Sequence, residues 1–268
     1  MSKKTKNIKE ELDSLLDLLK NTDEKKAHLL ESWLITYVNY IKYEPVFDPS
    51  LLIRYPRGSI VFANLGFNVD REYGGIHYCI VLNKKDSIKN PLLNVIPLTS
   101  NPNKSKINTN VDLGTAVQEA LAAKNRAMLN KTSKEQEISG IESDHLGSSF
   151  KSINDIAKTL QEQSMSPDEF SSLKSKFDEE SKLIEEKIER LSEKTARISK
   201  EIDLIGRGIR AQERLKQNSI ALVDQITTIS KMRIIKPKYP KDPFAGIKIA
   251  NEYMDKIDEK IKELFTKR

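Results

Sequence analysis

Apolar residues recur at helical spacing near the start of the chain. Over residues 8–43 they return every three or four positions, as they do on one face of a helix. The polar segment NTDEKK interrupts this pattern, and Thr22 or Asp23 is a suitable N-cap for a second helix. Three prolines between residues 45 and 56 then end the periodicity, because proline cannot continue a helix. The sequence therefore predicts two helices followed by a different kind of structure.

Short runs rich in β-branched and aromatic residues come next. They cover residues 58–66, 76–83 and 93–98, and a further run covers 108–113. The segments between them contain glycine, asparagine and aspartate, which favour turns. Such a series of short runs predicts an antiparallel meander.

Residues 115–217 change character again, because their only proline is Pro167 and they contain few strand formers. Helices are predicted at 115–130 and 153–162, with polar linkers such as SGIESDHLGSS between them. Ser166 then precedes Pro167 and two acidic residues, which is a favourable helix start. In the helix that follows, apolar residues repeat every seven positions, which is typical of a coiled coil. The repeated positions are Phe170, Phe177, Ile184, Leu191, Ile198 and Ile205, with a second row at Ile188, Thr195, Ile202 and Ile209.

Strand and helix patterns return at the end of the chain. The segment SIALVDQITTI, from Ser219, predicts a strand that leads into a loop, and residues 245–265 predict an amphipathic helix. The whole chain is therefore expected to be of the α+β class. A helical extension covers residues 1–50, and a long helical insertion covers 115–217.

Composition and charge narrow the functional classes. The net charge of +6 is compatible with binding to a polyanion, although basic and acidic residues are mixed along the chain. A single cysteine, Cys79, excludes an internal disulfide and a cysteine-based zinc site. No run approaches the roughly 18–20 apolar residues of a membrane helix, and the first residues do not resemble a signal peptide. We therefore expect a cytoplasmic protein that does not enter a membrane.

Three ordered motifs resemble the MazF/PemK toxin family. The segment RGSIVFANLGFNVDREYGGIHYCIVLN, residues 57–83, is similar to the opening of these toxins, and VIPLTS, residues 95–100, is similar to their third strand. After the insertion, SIALVDQITTISKMRI, residues 219–234, resembles a later family segment. The resemblance implies one small, curved, antiparallel β-barrel of the SH3-like type. Its two halves would be residues 51–114 and 218–268.

The family resemblance also implies an activity and its partners. Members cut single-stranded RNA without a metal or cofactor, through attack of the ribose 2′-hydroxyl on the adjacent phosphate. The products carry 2′,3′-cyclic phosphate and 5′-hydroxyl ends. A homodimer and an antitoxin partner are expected on the same ground.

Carrying the family's catalytic pair over by position gives one match and one departure. The hydroxyl residue falls on Thr99, with Ser100 beside it, whereas the family's arginine falls on His77. A histidine titrates near neutrality and can exchange protons, but it supplies less fixed positive charge than an arginine. Two alternatives stay open. His77 can be an ordinary strand residue in a protein that has lost catalysis, and the Thr99 hydroxyl can serve only to cap a turn.

Substrate contacts must then come from other residues. Gln225 and Thr228 match positions that line the RNA groove in the family. The missing charge is expected from basic residues, and the candidates are Arg57, Arg71, Lys84, Lys231 and Arg233. His28 and His145 lack the spacing of a metal site, so no metal is expected.

Two further functions compete with a ribonuclease. The protein can be a non-catalytic binding protein with a fold like that of the CcdB toxins, which bind a topoisomerase. Alternatively, the coiled-coil insertion can be the main functional part, as a partner-binding or dimerising arm. A fold assignment does not choose among these functions.

Overall fold

The computed structural model describes residues 7–162, 164–213, 215 and 218–267. It divides the chain into two units. One unit contains Met1–Leu121 together with Arg214–Arg268, and the other contains residues 122–213. The N-terminal helices and both predicted halves of the sheet thus belong to the first unit.

The first unit begins with two helices, α1 (Ile8–Thr22) and α2 (Glu24–Tyr43). Asp23 separates them and caps α2, because its carboxylate accepts a hydrogen bond from the Lys26 amide at 2.9 Å. Helix α2 packs against the rest of the unit through Trp33. The Arg233 guanidinium lies 5.2 Å from the centre of this ring and donates through Nε to the Asn64 carbonyl.

Antiparallel strands form the sheet of this unit. The first three pair in chain order, as the predicted meander does, but the fourth pairs with a strand of the returning segment instead of with the third. The strands are β1 (Ile60–Asn64), β2 (Ile76–Val81), β3 (Leu92–Thr99), β4 (Asn110–Asp112), β5 (Ile220–Leu222), β6 (Thr227–Ser230) and β7 (Ile234–Lys236). Their order is β4-β5-β3-β2-β1-β7, and β6 also pairs with β3. Strands from both ends of the chain therefore build one mixed α+β unit. The described pairings leave the sheet open, so the expected barrel is not confirmed.

The chain leaves the sheet after β4 and returns to the same place. The Leu113 amide donates to the Ser219 carbonyl, and the Ser219 amide donates to the Gly114 carbonyl, both at 2.9 Å. The returning segment does not form the single strand that the sequence predicts. It bends at a 3-10 turn, Val223–Gln225, so that β5 and β6 pair with different parts of β3.

Both faces of the sheet are buried. Side chains alternate between the faces along a strand, so Val61, Cys79 and Val95 share one core cluster. Ile60, Ile80 and Ile96 are buried on the other face. The closing helix α5 (Asn251–Phe265), which is shorter than predicted, buries Met254 and Ile257.

A buried ion pair joins the two halves of the sheet unit. Lys231 Nζ lies 2.8 Å from the Asp86 carboxylate, and the two side chains are 0% and 1% exposed. The ammonium also donates to the Ser87 carbonyl, and the carboxylate accepts from the Tyr55 amide, both at 2.9 Å. These bonds compensate for the cost of burying two charges.

The second unit contains parts of two helices, α3 (Ala116–Glu162) and α4 (Pro167–Glu213). They run antiparallel, with the Lys131–Glu201 and Lys194–Glu142 ion pairs between them. One heptad row is buried at Ile184, Ile198 and Ile205, whereas Ile188, Ile202 and Ile209 are exposed. Ser166 caps α4 by reciprocal bonds with Glu169, as predicted.

The predicted interruption of the first insertion helix is wrong. Residues 131–152 are helical, although Gly140 and Gly147 each cost about 1 kcal/mol relative to alanine. Pairing with α4, seen at Glu142, supplies the tertiary packing that offsets this cost. The polar composition of this segment therefore led to the prediction of a linker where the structure has a helix.

Removing one partner of the buried pair should destabilise the protein strongly. We expect Lys231→Ala to lower the free energy of unfolding by about 3–5 kcal/mol, because it leaves the Asp86 charge buried without a counterion. Urea denaturation followed by circular dichroism measures this change. Lys85→Ala, which removes an exposed charge from the same loop region, is the matched control and should change stability by less than about 0.5 kcal/mol. Equal effects of the two variants would contradict this role.

Candidate active site

An open cleft of about 600 Å³ lies where β2 and β3 cease to pair. The two strands are paired as far as Cys79 and Pro97. Beyond this pair, β2 extends back to Ile76 and β3 extends on to Thr99. The diverging ends, with the loops next to them, line the cleft. Its lining includes Phe62, Tyr73, Ile76, His77, Tyr78, Leu98, Thr99, Ser100, Asn101, Asn218 and Ser219.

Glycines shape the loop that brings Tyr73 and His77 together. The Gly75 amide donates to the Gly66 carbonyl at 2.6 Å, which closes the β1–β2 loop. Gly75 has a φ of 87°, a conformation that favours glycine. A side chain on Gly74 would place its Cβ 2.7 Å from the Gly66 carbonyl oxygen. The loop therefore requires glycine at both positions, at Gly74 because of the close contact and at Gly75 because of its backbone conformation.

His77 lies at the start of β2, on the same face of the sheet as Cys79. Its Nδ1 lies 3.3 Å from the Tyr73 hydroxyl, and the two rings are 4.4 Å apart. Burial lowers the pKa of His77 below its ordinary value, although a hydrogen bond with the Gly74 backbone opposes this shift. The imidazole is therefore mainly neutral at pH 7 and can accept a proton.

Tyr73 connects the two predicted catalytic residues. Its side chain hydrogen-bonds that of Thr99 as well as the His77 imidazole. Burial raises the pKa of Tyr73 above its ordinary value, and the bond with Thr99 only partly offsets this shift. The phenol therefore keeps its proton at neutral pH. Sequence reasoning missed Tyr73, because a tyrosine in a turn carries no periodicity, and its place before Gly74 was the only available indication.

The remaining hydroxyl and amide candidates have different positions. Thr99 also accepts a hydrogen bond from the Asn101 amide at 3.3 Å, so it caps a turn in addition to facing the cleft. Ser100 lines the cleft beside it. Gln225 fixes the backbone of the β1–β2 loop, because its side-chain carbonyl accepts a hydrogen bond from the Tyr73 amide at 3.1 Å. Thr228 is exposed on β6 and donates to Asn94 at 2.6 Å.

Two of the predicted basic contacts are already engaged elsewhere. Arg57 bonds to the Leu82 carbonyl and to the Asp258 carboxylate on α5. Lys231 is completely buried against Asp86, so it is not accessible to a substrate. The expected substrate contact of Lys231 is thus replaced by a structural role.

The other basic candidates are not part of the cleft lining. Arg233 is held between Trp33 and Asn64. Arg71 is exposed on the β1–β2 loop, and Lys84 is exposed just beyond the opposite end of β2. None of the predicted basic residues therefore supplies a positive charge to the cleft lining.

The cysteine is unsuited to nucleophilic chemistry. Burial raises the pKa of the Cys79 thiol to about 12, so the thiol stays protonated. Among residues 7–162, 164–213, 215 and 218–267, no three histidine, cysteine, aspartate or glutamate side chains are grouped to hold a metal ion. The chemistry available in the cleft is that of the imidazole, the phenol and the two neighbouring hydroxyls.

Residues 56–145 match the family model of the PemK-like, MazF-like toxins of type II toxin-antitoxin systems. The matched segment contains β1 to β4 with His77 and Thr99, but it ends before residues 219–234. Toxins of this family are generally endoribonucleases and act with an antitoxin, so the match supports a toxin-like endoribonuclease at family level.

No curated protein matches the chain. In the part of the chain that the structure describes, none of the helices has both the length and the apolar character needed to cross a membrane.

The lowered pKa of His77 makes stability depend on pH. Because the folded protein ionises His77 less readily, the unfolded chain binds more protons between the folded pKa and the ordinary value of about 6.5. The free energy of unfolding should therefore fall as the pH drops from 7.5 through this window. His77→Gln should remove this part of the dependence, whereas His145→Gln, on an exposed helix position, should keep it. Urea denaturation at several pH values measures the difference, and identical pH profiles for wild type and His77→Gln would disprove it.

Proposed function

We propose that this protein is a toxin-like endoribonuclease that cuts single-stranded RNA without a metal ion. The hydrogen-bonded connection from His77 through Tyr73 to Thr99, inside an open cleft, is the main support. It joins a proton acceptor, the His77 imidazole, to the hydroxyl groups of Tyr73 and Thr99, and all three residues line the same cleft. The family match to the segment that carries His77 and Thr99 is the second support.

In the proposed reaction, the neutral His77 imidazole removes the proton from a ribose 2′-hydroxyl. The 2′-oxygen then attacks the adjacent phosphorus while the bond from phosphorus to the 5′-oxygen breaks. The departing 5′-oxygen, on the opposite side of the phosphorus, takes a proton from water, and the imidazolium returns its proton to the solvent, so the step is balanced without a co-reactant. The products carry a 2′,3′-cyclic phosphate and a 5′-hydroxyl.

The other residues of the cleft would position the substrate and stabilise charge. Thr99, with Ser100 beside it, donates a hydrogen bond to a non-bridging phosphate oxygen. Tyr73 keeps its proton and orients the imidazole, while Gln225 fixes the Tyr73 backbone. Arg71, Lys84 and Thr228 are exposed and remain proposed contacts for more distant parts of the RNA.

The proposal includes the partners of such a toxin. The protein would act in the cytoplasm, as a homodimer, and would be restrained by an antitoxin. Residues 115–217 would be an insertion between the halves 51–114 and 218–268, preceded by the extension 1–50. The halves meet in one sheet, which supports this division.

Loss of the imidazole should abolish most of the cleavage. We expect His77→Ala to cut single-stranded RNA at least about 100-fold more slowly, since general acid–base catalysis contributes about 10²–10⁴-fold. Thr99→Ala should also slow the reaction. Gel analysis and chemical mapping of the RNA ends measure the rate and the products, in the presence of EDTA. His145→Ala, which removes an exposed histidine on an insertion helix, is the control and should retain full activity.

The pH dependence provides a separate test of the base. Because the pKa of His77 lies below its usual value, the rate at low substrate concentration should rise with pH below about 6.5. A flat profile there would refute His77 as the base. Absence of cleavage at every pH between about 5 and 9 would instead favour the non-catalytic, CcdB-like alternative.

A further inference from the structure

The proposed cleft needs a positive charge that the sequence did not identify. A histidine stands where the family has an arginine, and a neutral imidazole does not balance a phosphodiester. Arg57, Lys231 and Arg233 are occupied by Asp258, Asp86 and Trp33 respectively. Another basic residue must therefore lie near the cleft if it binds RNA.

Lys236, the last residue of β7, has the required position. It lies opposite Phe62 in the β1–β7 register, and Phe62 lies opposite Tyr78 in the β1–β2 register. Residues that oppose each other directly in neighbouring strands point to the same face. The Lys236 ammonium lies 5.3 Å from the centre of the Phe62 ring and 5.0 Å from that of Phe244. These cation–π contacts hold the charge beside the cleft wall.

The same place offers aromatic surface. The Phe62 and Tyr78 rings are 4.7 Å apart, and both line the cleft. Phe244 lies 5.2 Å from Tyr78 and is 1% exposed, so it supports the other two rings from the core. Both rings are half-buried, and the ring surface that faces the cleft can stack on a nucleobase with little regard to sequence.

The aromatic residues and the proposed catalytic residues lie on opposite faces of the sheet, at the point where β2 and β3 separate. His77 and Thr99 share one face, whereas Tyr78 and Leu98 share the other, because neighbouring residues of a strand alternate. All four residues nevertheless line the cleft, since β2 and β3 have stopped pairing there. A single strand that passes through this opening would meet both groups in succession.

We propose that Lys236, Phe62 and Tyr78 form a subsite for the nucleotide next to the cleaved one, in which Lys236 binds its phosphate and the rings stack on its base. The choice of single-stranded RNA as the ligand rests on the proposed function. The subsite supplies affinity and replaces part of the charge of the missing arginine. It discriminates poorly between bases, because stacking is available to all of them.

Binding of a non-cleavable RNA tests the phosphate contact apart from catalysis. A fluorescein-labelled oligonucleotide with 2′-O-methyl groups at every ribose has no attacking hydroxyl, and its anisotropy reports binding. Each phosphate contact contributes about 0.7 to the slope of log affinity against log salt concentration for a single strand. Lys236→Met should therefore weaken binding and reduce the slope by about 0.7, while Lys236→Arg should retain both.

Lys85→Met is the matched control, because Lys85 is exposed beyond the far end of β2. It should leave the affinity and the salt slope close to those of the wild type. Circular dichroism spectra that superimpose on the wild-type spectrum show that each variant is folded. An equal loss of slope in Lys85→Met and Lys236→Met would overturn the subsite, because it would indicate a diffuse charge effect.

Variants of the ring test the stacking part. Tyr78→Leu should weaken binding about tenfold, as expected when stacking on one base is lost, and should leave the salt slope unchanged. Tyr78→Phe keeps the ring and should bind like the wild type. If Tyr78→Leu binds as tightly as Tyr78→Phe, the aromatic subsite is refuted.

The outcomes separate this proposal from the ribonuclease proposal. If binding depends on Lys236 but unmodified RNA stays intact, the subsite stands and the proposed cleavage fails. If RNA is cut while Lys236→Met keeps the wild-type affinity and slope, the subsite fails and the cleavage stands. A wild-type protein that does not bind the modified RNA at all overturns the subsite.

Discussion

The closure between Leu113 and Ser219 is the constraint on which the sheet depends. Two backbone hydrogen bonds bring together chain segments separated by about a hundred residues, and β5 and β6 then fill the free side of β3. Closing an unstructured loop of that length costs roughly 4 kcal/mol in chain entropy, apart from a constant. Here the intervening residues form long helices that pair with each other, so much of this ordering is offset by their own contacts. Without the returning strands, β3 would keep only β2 as a partner, and the cleft would lack one side.

The closure also explains how residues far apart in sequence share one site. Gln225 comes from the returning segment, yet it holds the Tyr73 amide in the β1–β2 loop. Lys236 comes from the same late segment and faces Phe62. The early part of the chain provides His77, Tyr73 and Thr99, while the late part fixes the Tyr73 backbone and places the Lys236 ammonium beside Phe62. Each half alone therefore has only part of the site.

Strands and caps were predictable because their causes are local. The runs at 58–66 and 76–83 contain β1 and β2, and the run at 93–98 contains all of β3 except its first and last residues. Asp23 and Ser166 cap the helices expected after them. The continuity of α3 was not predictable, since α4 stabilises residues whose local pattern is polar. Lys231 was expected to contact the substrate, because the sequence does not show that its ammonium is buried in an ion pair with Asp86. Tyr73 and Lys236 were missed for a similar reason, since their importance comes from strand register and loop geometry.

The order of the strands has a consequence for biosynthesis. A nascent chain that has not yet reached Ser219 has made the imidazole and the threonine, but it lacks β5 to β7, Gln225 and Lys236. On the ribosome, β3 therefore stays without two of its neighbours until after the whole insertion has been translated. The finished cleft therefore arises only near the end of translation, and a prematurely terminated polypeptide lacks it.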